Sequence, residues 1–96
     1  MRKDGYHEIY HSNGNIRGKG KFLNGYREGY WEIFNIHGKM MAKGNYVNGE
    51  QVGYWEEYYP DGLIFCKGNI GNQEYFDRQG NKFDFLGWKI KKDFFK

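Results

Sequence analysis

The sequence predicts an all-β chain: an antiparallel meander of β-hairpin repeats forming a single curled, twisted sheet of about seven short strands. Three observations predict it. The chain repeats itself, since Gly5, Gly29 and Gly53 open three similar segments, GYHEIYHSNGNIRGKGKFLNGYRE, GYWEIFNIHGKMMAKGNYVNGEQV and GYWEEYYPDGLIFCKGNIGNQ. Self-similarity at a short fixed period marks one supersecondary unit used several times. Each segment also carries X-Gly pairs: Asn13-Gly14 and Asn24-Gly25, His37-Gly38 and Asn48-Gly49, and Asp61-Gly62. Such pairs supply the positive φ angles of two-residue hairpin turns. Finally, 21% of the residues are aromatic and only one is Pro, a composition that favours strands over helices.

Each unit is read as two short strands. The first spans residues 5–28, the second 29–52, and the third 53–73, where Gln73 replaces the closing turn glycine. A degenerate fourth unit, residues 74–82, keeps an aromatic and a turn glycine at Phe76 and Gly80. Residues 1–82 are thus expected to form the repeat domain and residues 83–96 a basic, aromatic tail.

A two-residue turn fixes which residues face each other. Turns at Asn13-Gly14, His37-Gly38 and Asp61-Gly62 place Glu8 opposite Lys19, Glu32 opposite Lys43 and Glu56 opposite Lys67. They also place Trp31 opposite Gly44, Trp55 opposite Gly68 and His7 opposite Gly20. Between units, the same rule at the Asn-Gly turns flanks Trp31 with Gly18 and Trp55 with Ala42. Each indole is expected to lie over small residues, covering glycines that would otherwise weaken the strand.

The alternation then divides the sheet into two faces. One carries Ile9, Ile16, Phe22, Trp31, Ile33, Met40, Ala42, Tyr46, Trp55, Ile64, Cys66 and Ile70, the expected core. The other carries Tyr6, Tyr10, Tyr30, Phe34, Tyr54 and Tyr58 among the Glu and Lys residues. An apolar sheet face needs a cover. The tail offers Phe83, Phe85, Leu86, Trp88, Ile90, Phe94 and Phe95, by curling back or by pairing with a second copy.

The recurring G-x-W-x-x-aromatic, x-G and K-G-x-aromatic-x-N-G elements resemble the MORN-repeat superfamily, and within it the bacterial YwqK-type toxin–antitoxin system antitoxin family. The residues that carry the resemblance are Gly29, Trp31, Phe34, Gly38, Gly44, Tyr46, Asn48 and Gly49, matched by Gly53, Trp55, Tyr58, Gly62, Gly68 and Ile70. It covers roughly residues 5–82, with His7 in place of the first Trp. The resemblance implies repeated β-hairpins and binding to a protein partner such as a toxin.

Charge and motifs narrow the function. The net charge of +3 comes from residues 81–96, because residues 1–80 balance ten Lys/Arg against ten Asp/Glu. Neutral repeats with Glu beside each Lys argue against nucleic acid, although bases could stack on the same aromatics with Lys91 and Lys92 near phosphates. Cys66 is the only cysteine and no apolar run follows the charged start. A reduced cytoplasmic setting is therefore expected, with neither a disulfide nor a membrane span.

His7 and His11 are four residues apart, which on a strand separates them by about 13 Å, too far for one metal ion. Cys66 falls on the apolar face and is read as a buried structural thiol. The Glu/Lys pairs occur three times, whereas an active site is normally singular, so they are read as structural ion pairs that fix register. No phosphate loop, zinc-binding pair or nucleophile elbow is present. The expectation is a non-enzymatic protein-binding module without cofactor or metal, of antitoxin or immunity type, acting through Tyr6, Tyr10, Tyr30, Phe34, Tyr54 and Tyr58. Small-ligand or nucleic-acid binding on the same face, and a structural role by self-association through the tail, are the alternatives.

Overall fold

The computed structural model describes residues 3–83. Eight antiparallel strands follow one another in chain order across one open sheet: β1 (Gly5–Tyr10), β2 (Ile16–Leu23), β3 (Tyr26–Phe34), β4 (Met40–Val47), β5 (Glu50–Tyr58), β6 (Ile64–Asn69), β7 (Asn72–Phe76) and β8 (Lys82–Phe83). The meander of hairpin repeats is thus the fold, with a short eighth strand beyond the expected seven. Phe83 pairs with Tyr75 and packs near Phe65, so the sheet extends one residue into the expected tail. The cover expected from Phe85, Leu86, Trp88, Ile90, Phe94 and Phe95 lies outside the described residues.

The X-Gly turns are of two kinds. Asn24-Gly25 and Asn48-Gly49 have positive φ at both residues, 53° and 87°, then 51° and 81°, the signature of type I′ hairpins. The turns at Gly14, Gly38 and Gly62 differ from expectation, because only the glycine is left-handed. There His11 N donates to Asn15 O at 2.8 Å and Gly14 N to His11 O at 3.0 Å, enclosing a three-residue loop. The same pair of bonds recurs at Asn35–Lys39, Tyr59–Leu63 and Asp77–Asn81. Such a loop shifts the register by one. A bulge at Arg17 shifts it back: Tyr10 faces Ile16, but Ile9 faces Gly18. Met41 and Phe65 are the equivalent extra residues. Two offsets cancel, so Glu8 does face Lys19, Glu32 Lys43 and Glu56 Lys67.

Between units the expected register fails. Near the turn Lys21 faces Glu28, but on the far side of a bulge Gly20 faces Trp31. Two residues of β3, Gly29 and Tyr30, have been inserted, and Gly29 takes φ 75°. The same insertion at Gly53-Tyr54 sets Trp55 opposite Gly44. Trp31 is therefore paired with Gly20 rather than Gly18, and Trp55 with Gly44 rather than Ala42.

This bulge creates the core. A Cβ on Gly20 would lie 2.4 Å from the Trp31 ring, and one on Gly44 would lie 2.2 Å from the Trp55 ring. Each indole thus lies flat on the glycine of the preceding strand, not on the partner within its own hairpin. Its Nε1 donates to a backbone carbonyl beside the bulge, Trp31 to Lys21 O at 2.9 Å and Trp55 to Asn45 O at 3.0 Å. Both indoles are fully buried, at 0% exposure. Their edges are closed by T-shaped contacts that run His7–Phe22–Trp31–Tyr46–Trp55 along the sheet. The Arg27 guanidinium lies over both Trp31 and Tyr46, 5.0 and 5.4 Å from their centroids. Aromatic pairs of this geometry contribute about 0.5–1.5 kcal/mol beyond area burial.

The third unit breaks the pattern. Its closing turn, Ile70-Gly71, comes earlier than in the other units, and β6 meets β7 without a bulge. Gln73 stands opposite Gly68, where the other units place Trp, and Ile70 is exposed in the turn rather than buried. Gly68 is backed by Asn72 O and Gln73 instead of an indole.

Candidate functional site

The bulges at Arg17, Met41 and Phe65 also correct the division of the faces. Directly opposed residues share a face, so Ile16, Met40 and Ile64 lie beside Tyr10, Phe34 and Tyr58 and not in the core. The face opposite the tryptophans is consequently ordered into three rows, each crossing the strands with one residue per strand.

The middle row alternates in charge over seven strands: Glu8, Lys19, Glu32, Lys43, Glu56, Lys67 and Glu74. Lys19 and Lys43 each have a carboxylate on both sides, and both choose the following unit. Lys19 Nζ is 3.5 Å from Glu32 and Lys43 Nζ is 3.4 Å from Glu56. The expected ion pairs within hairpins are therefore pairs between units. Glu8 forms none among the described residues, and Lys67 Nζ sits 5.4 Å over the Phe76 ring.

The row nearest the three-residue loops alternates aromatic and aliphatic side chains: Tyr10, Ile16, Phe34, Met40, Tyr58, Ile64 and Phe76. Depressions open along it at equivalent places in the repeat. One is lined by Asn15, Ile16, Lys19, Phe34 and Gly38, the other by Leu63, Ile64, Lys67, Phe76 and Gly80 with Asp77 and Arg78. The loops beside them are tied across units, His11 Nε2 donating to Phe34 O at 3.0 Å and Tyr59 Oη to Phe76 O at 2.9 Å.

Tyr6, Tyr30 and Tyr54 form the third row on the odd strands and stand 63%, 51% and 51% exposed. Their hydroxyls are not free. Tyr54 and Tyr58 donate to the two oxygens of Glu56 at 2.8 and 2.6 Å, Tyr6 and Tyr10 to those of Glu8 at 3.3 and 2.7 Å, and Tyr30 to Glu32 at 3.2 Å. These bonds, Tyr58 first, then Tyr54, together with Lys43, hold the Glu56 carboxyl below the usual range. The phenols move the other way: Tyr54 is raised chiefly by its bond to Glu56, and Tyr58 chiefly by burial. A Glu56 carboxylate that stays ionised and phenols that stay protonated keep the Tyr54 and Tyr58 rings fixed in place.

All six expected binding residues lie on this one face. Ile16, Met40 and Ile64 join them unforeseen, because a single-residue bulge leaves no mark in the hydrophobic pattern, and Phe76 joins them as the aromatic of the degenerate fourth unit. The two histidines serve separate carbonyls: His7 Nε2 donates to Asp4 O at 3.1 Å and packs edge-on against Phe22, while His11 belongs to a loop. On the opposite face, Cys66 is buried and its thiol donates to Glu57 Oε2 at 2.9 Å, with Gln73 Nε2 at 3.6 Å. Burial first, then Glu57, push the thiol up to about 12, so it is a neutral hydrogen-bond donor. Glu57 occupies the place of Ile9 and Ile33, which the repeat alignment itself displays.

No helix among the described residues is long and apolar enough to cross a membrane. A scan of the sequence against protein-family models finds no match, and searches of curated proteins and of solved structures likewise find no similar protein.

Proposed function

We propose that this chain is a non-enzymatic protein-binding module of the MORN-repeat type, an inhibitor of antitoxin or immunity kind acting in the cytoplasm, and that its binding surface is the three-row face. One observation carries the reading: exposed tyrosines, locked by their hydroxyls to a row of carboxylates, stand beside aromatic–aliphatic pairs that recur in each hairpin. Rigid amphipathic side chains offer a large contact area at small entropic cost, and Tyr is enriched where interfaces concentrate their energy. The alternating charge row suits a partner of complementary pattern better than a polyanion, since every Lys has a Glu on an adjoining strand.

A second reading, small-ligand binding, rests on the depressions where Lys19 and Lys67 lie over Phe34 and Phe76. Affinity capture from the native host, with the natural chain and with a Tyr54→Ala/Tyr58→Ala variant compared side by side, separates the readings. A protein held by the natural chain and released at least tenfold more readily by the variant supports the face as the interface. Equal retention by both excludes it.

A further inference from the structure

The row of charges is incomplete at its first strand. Glu32 and Glu56 each take an ion pair from the strand before them, Lys19 on β2 and Lys43 on β4. Glu8 is the equivalent residue of β1 and carries the same tyrosine clamp, yet among the described residues β2 is its one strand neighbour and it has no ion pair. The clamp does not exclude a cation, because Glu56 holds Tyr54, Tyr58 and Lys43 together. Gly5 also keeps the bulge conformation, with φ 80° beside 75° at Gly29 and 67° at Gly53. In β3 and β5 that conformation fits the strand to its predecessor. Here there is no predecessor among the described residues, and His7 replaces the indole that would need a glycine beneath it.

We propose that the outer edge of β1 is a docking strand. It receives, antiparallel, a β-strand of a partner protein built like β2 or β4, with Lys or Arg opposite Glu8 and small residues opposite His7 and Ile9. An open edge supplies unpaired N–H and C=O groups for such an addition. The charge then sets register and partner choice more than affinity. A second copy offering its own β1 does not meet the requirement, since Gly5–Tyr10 contains no Lys or Arg, and the opposite edge strand β8 spans two residues, with Lys82 already paired to Glu74 at 3.6 Å. The site is the β1 edge and shares Glu8 with the face proposed above; backbone pairing along residues 5–10 is what distinguishes it from binding on the face.

A fluorescein-labelled peptide with the sequence of β4, MMAKGNYV, titrated with the full chain and followed by anisotropy, tests this. Saturable one-to-one binding is expected, weakened about fivefold or more by Glu8→Lys, with amides of residues 5–10 slowed in hydrogen exchange. A peptide carrying Lys43→Glu should regain affinity for the Glu8→Lys chain. Glu8→Gln, an exposed and nearly isosteric change, should give an intermediate loss, and Tyr54→Ala/Tyr58→Ala should give none. Absence of saturable binding, an affinity indifferent to both Glu8 variants, or protection falling away from β1 would overturn the proposal.

Discussion

The β4/β5 and β6/β7 junctions join consecutive units of one repeat, yet they are built differently. At β4/β5 the inserted pair Gly53-Tyr54 swings Trp55 over Gly44, and the indole is sealed by Tyr46 and by a bond to Asn45 O. At β6/β7 there is no insertion, Gln73 takes the place of Trp, and the space holds Cys66 and Glu57 in a hydrogen-bonded set. Bulge and tryptophan therefore change together, whereas the glycine is kept as Gly68. The bulge re-aims the side chain, the glycine makes room for it, and without the bulge an indole would have no seat over the glycine.

The contrast can be broken at several points, from the largest effect to the smallest. Trp55→Ala removes the buried indole and should cost about 3–5 kcal/mol, whereas Gln73→Ala, which removes one weak bond, should cost about 1 kcal/mol or less. Chemical denaturation of the two variants measures the difference. Gly44→Ala forces a methyl into the Trp55 ring at 2.2 Å and should cost about 1–3 kcal/mol. That penalty should shrink in a Trp55→Leu background, so a double-mutant cycle should show strong coupling.

Alkaline pH addresses the polar junction. The Cys66 thiol is raised to about 12 in the folded chain, so its contribution to stability is complete below the ordinary thiol value and is lost as pH rises toward the folded one. Native Cys66 should resist alkylation at mildly alkaline pH and react readily in denaturant. Cys66→Ala should flatten the fall in stability over that alkaline window. The smallest effect is expected at Gly18→Ala, where a Cβ would meet Trp31 at an ordinary 3.5 Å. Ala42 already occupies the equivalent place one unit on, and stability should change by no more than about 0.5 kcal/mol.

These residues also show what the sequence discloses. Glu8 and Lys19, Glu32 and Lys43, Glu56 and Lys67 could be matched on paper because the three-residue loop and the bulge at Arg17, Met41 or Phe65 offset one another. The hydrophobic pattern hides both, and so it places Ile16, Met40 and Ile64 on the wrong face. The register between units was missed because Asn24-Gly25 really is a two-residue turn, and the shift comes five residues later at Gly29. A glycine recurring before each Tyr-Trp was its only trace. Which carboxylate each Lys chooses was not legible, since opposition across a strand constrains Cα positions and leaves a long side chain two partners.

The central claim is that the tryptophan face holds the fold together while the face opposite meets the partner. Hydrogen–deuterium exchange and side-chain chemical shifts of the free chain, compared with those of the chain bound to its captured partner, test it most directly. Changes centred on Tyr10, Phe34, Met40, Tyr54 and Tyr58, with the indoles of Trp31 and Trp55 undisturbed, are the expected result. Changes centred on the indoles, or confined to loops away from the three rows, would contradict it.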